Sequence, residues 1–228
     1  MRPLLVICTV VSVAMLTACG GSKSTSSNGV SSKSADDIVA AAKAAADGAT
    51  SVHAAGSGSD NGVPLVIDLH IVAGKGGEGM LSEHGLSFEL VRIGSTAYIK
   101  GSSAFYKRFA GAGAAQLLQG KWLKASATTG DLASLTPLTD LRKFFDNALT
   151  NHGKLQKTGA TTVNGVQVVG VKDTTKGGIL YVATSGKPYP IEVTEGGTSG
   201  GVLKFDQWNQ TVKLTAPPNA VDISKLKK

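Results

Sequence analysis

The sequence predicts an α+β fold: one antiparallel β-sheet with helices packed on one of its faces. Three observations carry this. From Ser51 onward, short stretches alternate apolar and polar residues with a period of two, the pattern of half-buried strands. Glycine, at 29 of 228 residues, supplies frequent turns between them, and Asn61-Gly62 and Asn164-Gly165 are strong hairpin signals. Helical spacing is confined to segments lying between runs of strands, so nothing resembles a βαβ repeat.

In chain order, Ser34 is a helix cap, with Asp36 and Asp37 in the first turn where the helix dipole favours acidic residues. Ile38, Ala41, Ala42 and Ala45 then share one small apolar face, and Gly48 ends the helix. Strands are predicted over Val52–Ser57, Leu65–Val72, Gly79–Glu83, Leu86–Ile93 and Thr96–Lys100. Ser102–Leu118 breaks the period and predicts a helix weakened by Gly111 and Gly113. Lys121–Lys124 returns to strand spacing, Asp131–Leu135 reads as a helical turn, and Pro137 fits a helix start. Leu138, Leu141, Phe144, Phe145 and Leu149 form the strongest apolar helix face after the leader. Strands follow over Leu155–Thr162, Val166–Asp173, Ile179–Ala183, Ile191–Glu195, Val202–Trp208 and Val212–Leu214. Pro217-Pro218 ends the sheet, and Val221–Ile223 is placed to pin an edge.

The first nineteen residues are of another kind. Arg2 precedes an apolar run from Leu4 to Leu16, which is too short to span a bilayer and matches the apolar core of a secretory signal. Leu16-Thr17-Ala18-Cys19 then has the pattern of a bacterial lipobox. Small residues suit an extended segment in a peptidase cleft, and the thiol of Cys19 is the group that takes the lipid. The expected organisation is a signal peptide over 1–18, a flexible Ser/Gly tether over 19–34 and a single domain over 35–228. With Cys8 removed in the signal and Cys19 acylated, no disulfide is expected. The protein is thus expected at the cell membrane, lipid-anchored on the extracytoplasmic face.

The formal net charge is +7. Its lysines are scattered, apart from Lys225, Lys227 and Lys228, and read as a solvated surface, the other reading being a weak attraction to anionic lipid headgroups; an exported lipoprotein is not expected to meet nucleic acid. His53, His70, His84 and His152 lie in separate segments without metal-ligand spacing. There is no G-x-S-x-G elbow, and Gly74-Lys75-Gly76-Gly77 lacks the spacing and following helix of a phosphate loop. No catalytic residue, metal or cofactor is expected, and the chain does not read as an enzyme.

One resemblance adds to this. The lipobox, the Ser/Gly tether and the Ala-rich first helix lead to Gly94-Ser95-Thr96-Ala97-Tyr98-Ile99 and Gly120-Lys121-Trp122. An apolar helix around Phe144-Phe145, the hairpin Val163-Asn164-Gly165-Val166 and the stretch from Gln207-Trp208 to Pro217-Pro218 follow. In that order these short motifs resemble the actinobacterial LppX/LprG lipoprotein family, related in fold to the LolA and LolB lipoprotein carriers. The resemblance covers residues 35 to 224, and the segment 104–119 is longer than the family's usual connection.

The resemblance implies a curved antiparallel half-barrel whose concave face is closed by helices, with a lipid or glycolipid held between them and moved outward through the envelope. The expected cavity lining is Ile67, Leu69, Phe88 and Leu90 from the sheet and Leu141, Phe144, Phe145 and Leu149 from the helix. The other reading of these eight residues is an ordinary close-packed core. The alternative function is a non-catalytic surface lipoprotein that docks a partner protein, such as a membrane exporter.

Overall fold

The computed structural model describes residues 26–60, 63–197 and 200–223. The signal segment, Cys19, the first part of the tether, the Asn61-Gly62 turn and the C-terminal lysines lie outside the described residues. The sequence predicts a flexible tether to Ser34, but the stretch from Ser27 is packed. Ser27 bridges Ser185, the Asn28 side chain donates to the Ala183 carbonyl at 2.9 Å, and Val30, in a 3-10 turn over Val30–Ser32, is 1% exposed. One buried valine and a few backbone partners fix a segment that is otherwise serine and glycine.

Helix α1, Ala35–Asp47, starts where Ser34 accepts from the Asp37 amide, and it buries Ile38, Val39, Ala42 and Ala46. Its alanines let it lie close to the sheet and to a later helix. Strands β1 (Ser51–Asp60), β2 (Val63–Val72), β3 (Gly76–Glu83), β4 (Leu86–Ile93) and β5 (Thr96–Gly101) form a meander. Helix α2 (Ser103–Leu118) interrupts it before β6, Leu123–Ser126. Two 3-10 turns, Asp131–Leu135 and Pro137–Thr139, lead into α3, Leu141–Thr150, capped by Asp140. The chain then crosses to the far edge and returns through β7 (Leu155–Val163), β8 (Val166–Asp173), β9 (Ile179–Ala183), β10 (Pro190–Thr194) and β11 (Val202–Asp206). Strand β11 pairs with β1, which joins the two meanders.

With the two-residue strand β12, Val221–Asp222, the described residues form one unclosed, curved sheet in the order β12-β6-β5-β4-β3-β2-β1-β11-β10-β9-β8-β7. Every pairing is antiparallel except that of β12, which runs parallel to β6 and occupies one edge. The strand predicted at Val212–Leu214 does not form. Gln207 and Asn209 both have positive φ and turn the chain out of the sheet, and β11 already has β10 and β1 on its two sides, leaving no edge to pair with.

Alternation decides the faces. In β2, Leu65, Ile67, Leu69 and Ile71 turn toward the helices, while Val66 and Asp68 turn outward. Gly56 in β1 and Gly79 in β3 flank β2, both with φ near 150°, where a side chain would collide with the Val202 and Asp68 carbonyls. Such kinks bend a sheet. The helices cover the concave face. Lys43 of α1 reaches Asp146 of α3 at 2.7 Å, and α3 is pinned at its start. There Arg92 of β4 donates through Nε to Thr139 Oγ1 and through Nη2 to its carbonyl, both at 2.6 Å, and Thr139 is fully buried. Burial pulls the Arg92 pKa down.

Candidate functional site

Phe144, Phe145, Phe205 and Trp208 fill the space beneath the N-terminal half of α3, with Phe145 and Phe205 at 5.1 Å and Phe145 and Trp208 at 5.4 Å between ring centres. Toward the other end of the sheet these rings run out. A half-open cavity of about 820 Å³ lies there. Its roof is Val39 of α1 and the C-terminal end of α3, Asn147 to Leu149, with Asn151 and His152 beyond. Its floor is the upper halves of β1, β2 and β8 to β11. The inner surface is made by Leu65, Ile67, Leu149, Leu155, Val171, Ile179, Leu180, Val193 and Leu203, and the glycines 56, 58, 177, 178 and 196 keep it wide.

The polar groups sit at the rim and largely satisfy one another. Asp173 accepts from the Gly153, Thr175 and Lys176 amides at 2.7 to 2.8 Å, and these bonds, that from Gly153 foremost, hold its carboxyl below the usual range. Lys176 Nζ donates to the Asn151 side chain at 2.5 Å, and the Ser59 amide donates to Glu195 at 3.2 Å. A hollow with aliphatic side chains on its floor and polar ones around them suits an amphipathic ligand, one with both an apolar and a polar part.

Of the eight residues expected to line a cavity, Ile67 and Leu149 do so. Leu69, Leu90, Leu141 and Phe145 lie fully buried where sheet and helices meet, and Phe144 packs edge-on against Phe145 and Phe205. Phe88 lies under α2 against Phe105, at 5.0 Å between ring centres, beside a small second pocket of about 180 Å³. The lining that sequence reading missed comes mostly from the second meander. Its available signal was the apolar residue at every second position, as at Val171 between Gly170 and Lys172 and at Val193 between Glu192 and Thr194.

Elsewhere, the outer face of the sheet carries His53, which binds Asp206 at 2.7 Å and Asp68 at 3.0 Å and stacks on His70 at 4.5 Å. Burial alone would lower the His53 pKa, but the hydrogen bonds to Asp68 and Asp206 outweigh it and hold the imidazole above its ordinary value. Among the described residues no group of three His, Cys, Asp or Glu is placed to hold a metal ion, and no helix is long and apolar enough to cross a membrane.

No protein-family model matches the sequence, and no curated protein matches it. Solved structures do match. LprF from Mycobacterium bovis is 14% identical with a TM-score of 0.56, over 80% of this chain and 96% of LprF. The Mycobacterium tuberculosis lipoprotein LppX is 17% identical with a TM-score of 0.50, over 79% of this chain and 99% of LppX. At these identities the likeness is one of fold, and the chain has the fold of these mycobacterial proteins, as its motif order led us to expect.

Proposed function

We propose that this protein is an envelope lipoprotein, anchored through Cys19, that binds and carries a lipid or glycolipid in the cavity between α3 and the upper half of the sheet. The observation that carries this reading is the cavity itself. Its volume falls in the range of about 300–1,000 Å³ that accommodates one compact ligand, and its wall carries aliphatic side chains among polar ones. A chain packed solid to both ends of the sheet would give a lipid nowhere to go. The shared fold with LppX, a lipoprotein, and the lipobox pattern at Leu16–Cys19 both support the anchored part of the reading. Binding of this kind needs no catalytic residue; the protein's part is to exclude water from acyl chains, at about 0.8 kcal/mol per buried methylene.

The test is organic extraction and mass spectrometry of protein purified from its own envelope. Co-purification of an acylated species in near-equal molar amount is expected. An empty protein that also fails to take up lipid from mixed micelles would overturn the proposal.

A further inference from the structure

Helix α2 presents a surface that the cavity does not use. The N-terminal cap is regular, with Ser102 accepting from the Phe105 amide. Tyr106 is buried, and its hydroxyl accepts from the Gly101 amide and donates to the Lys121 carbonyl, tying both ends of the segment to the sheet. The outer side is different. Phe88, Phe105 and Phe109 form a ladder of rings, at 5.0 and 4.6 Å between centres, that runs from the sheet into solvent. Its last member, Phe109, is 68% exposed, and Leu117 beyond the kink at Gly111 is 69% exposed.

Along this stretch of chain the charge has one sign, and the neighbouring Glu89 is paired with Lys100. From residue 90 to residue 130 there is no Asp or Glu, while Lys107, Arg108 and Lys121 stand exposed on and beside α2. None of these three makes an ion pair among the described residues. Trp122, half-buried, follows at once. Exposed aromatic and aliphatic side chains beside unpaired cations are the composition of a segment that rests in the headgroup region of an anionic bilayer. A negatively charged protein would satisfy the cations equally, but would not by itself call for bare, protruding rings.

The position of α2 gives the surface a direction. The helix leaves β5 at Gly101 and returns at Leu123, the end of the sheet at which β2 begins and β8 finishes. That is the end where Gly58, Leu65, Asp173 and Gly178 line the half-open cavity. The described chain enters at the opposite end, where Ser27 meets Ser185 beyond β9. We propose that α2 is a docking surface for an anionic lipid bilayer, and that docking there turns the cavity mouth toward that bilayer. The proposal does not rest on the cavity's being loaded, and it is distinct from the anchor, which joins the chain from the other end.

The experiment uses residues 19–228 carrying Cys19→Ser, so that no acyl chain contributes, with phosphatidylcholine vesicles containing or lacking about 30% phosphatidylglycerol. Co-sedimentation is expected with the anionic vesicles only, and is lost at about 0.5 M salt. The pair Lys107→Gln and Arg108→Gln should weaken it about 25-fold, and Phe109→Ser about tenfold, while Val66→Ser on the outer face of the sheet leaves it unchanged. The two cations are exposed, so their removal should leave the melting temperature unchanged, and loss of the Phe105–Phe109 contact should lower it by no more than about 4 °C. Failure of the unsubstituted protein to prefer anionic vesicles overturns the proposal. Variants that sediment like the parent overturn it too, and leave Phe109 and Leu117 for a protein partner. Lipid content measured on the same preparations reads cavity loading separately.

Discussion

Two neighbouring residues of β2 give a stringent test of the cavity. Leu65 faces the hollow, and Val66, one residue on, faces solvent and is 51% exposed. Leu65→Trp places an indole inside the space that an acyl chain would use; Val66→Trp adds the same group to the same strand but outside. The indole displaces at least two ligand methylenes, at about 0.8 kcal/mol each, so affinity for a long-chain fluorescent fatty acid should fall by about 1.6 kcal/mol, or roughly 15-fold. Val66→Trp should change it less than twofold. Strand register is fixed on both sides, Leu65 opposite Gly58 and Glu83, so a slip that exchanges the two faces is excluded. The assay is a displacement titration on delipidated protein, with thermal unfolding to confirm that both variants fold. Equal affinities for the two tryptophan variants would refute the assignment of the hollow as the ligand's place.

The remaining predictions concern the frame and the anchor. Thr139→Val keeps the shape of a buried side chain but removes the hydroxyl that accepts from Arg92 Nε; it should cost about 2 kcal/mol, lowering Tm by about 4–8 °C, and Arg92→Met in the same background should recover part of the loss. His53 has a pKa above its unfolded value of about 6.5, so its bonds to Asp68 and Asp206 stabilise fully below that pH and are lost as pH rises through the folded value. Unfolding at pH 5.5 and 8.5, at about equal ionic strength, should therefore show a larger loss for the parent than for Asp206→Asn; identical pH slopes would remove the argument. Cys19→Ser should move the protein from the membrane to the soluble fraction, and a variant that still needs detergent for release would disprove the anchor.

Most of the architecture was legible because local signals agreed with the global arrangement. Leu86–Ile93 and Val166–Asp173 were bounded by turns, and Ser34 announced its helix at the right place, whereas Pro137 opens only the 3-10 turn Pro137–Thr139 and the helix itself starts at Leu141, where Asp140 caps it. Val212–Leu214 was not, because strand pattern says nothing about whether an edge is free, and the flanks of β11 were taken by β1 and β10. The cavity was legible only in part for a related reason. Alternation tells which residues face the helices, not how far away the helices stand. Leu69 and Ile67 have the same pattern, two residues apart, yet one is fully buried in the core and the other borders the hollow. The second meander supplied half the lining through β8 to β11, strands whose proximity to β2 depends on the β1–β11 pairing, a contact across about 150 residues that no local pattern encodes.

What leaves the hollow open is where the large side chains end. Along α3 the apolar face is Leu141, Phe144 and Phe145, after which Asn147, Asn151 and His152 take over, with Leu149 the last big residue pointing in. Across from it, Phe205 is buried near the C-terminal end of β11, while the other end of the sheet offers Gly56 and Gly58 in β1 and Gly177, Gly178 and Gly196 beside β9 and β10. Helix and sheet are therefore held at a separation set by phenylalanines at one end and lined by glycines at the other, and rigid elements cannot collapse to close the difference. The gap is a consequence of composition along two elements, not of a flexible lid. It follows that shrinking the spacers should close the hollow from below: Phe144→Ala would let α3 tilt toward β11, lose stability by about 3–5 kcal/mol and reduce lipid uptake together, whereas a cavity formed by an independently mobile helix would keep its uptake while losing the stability.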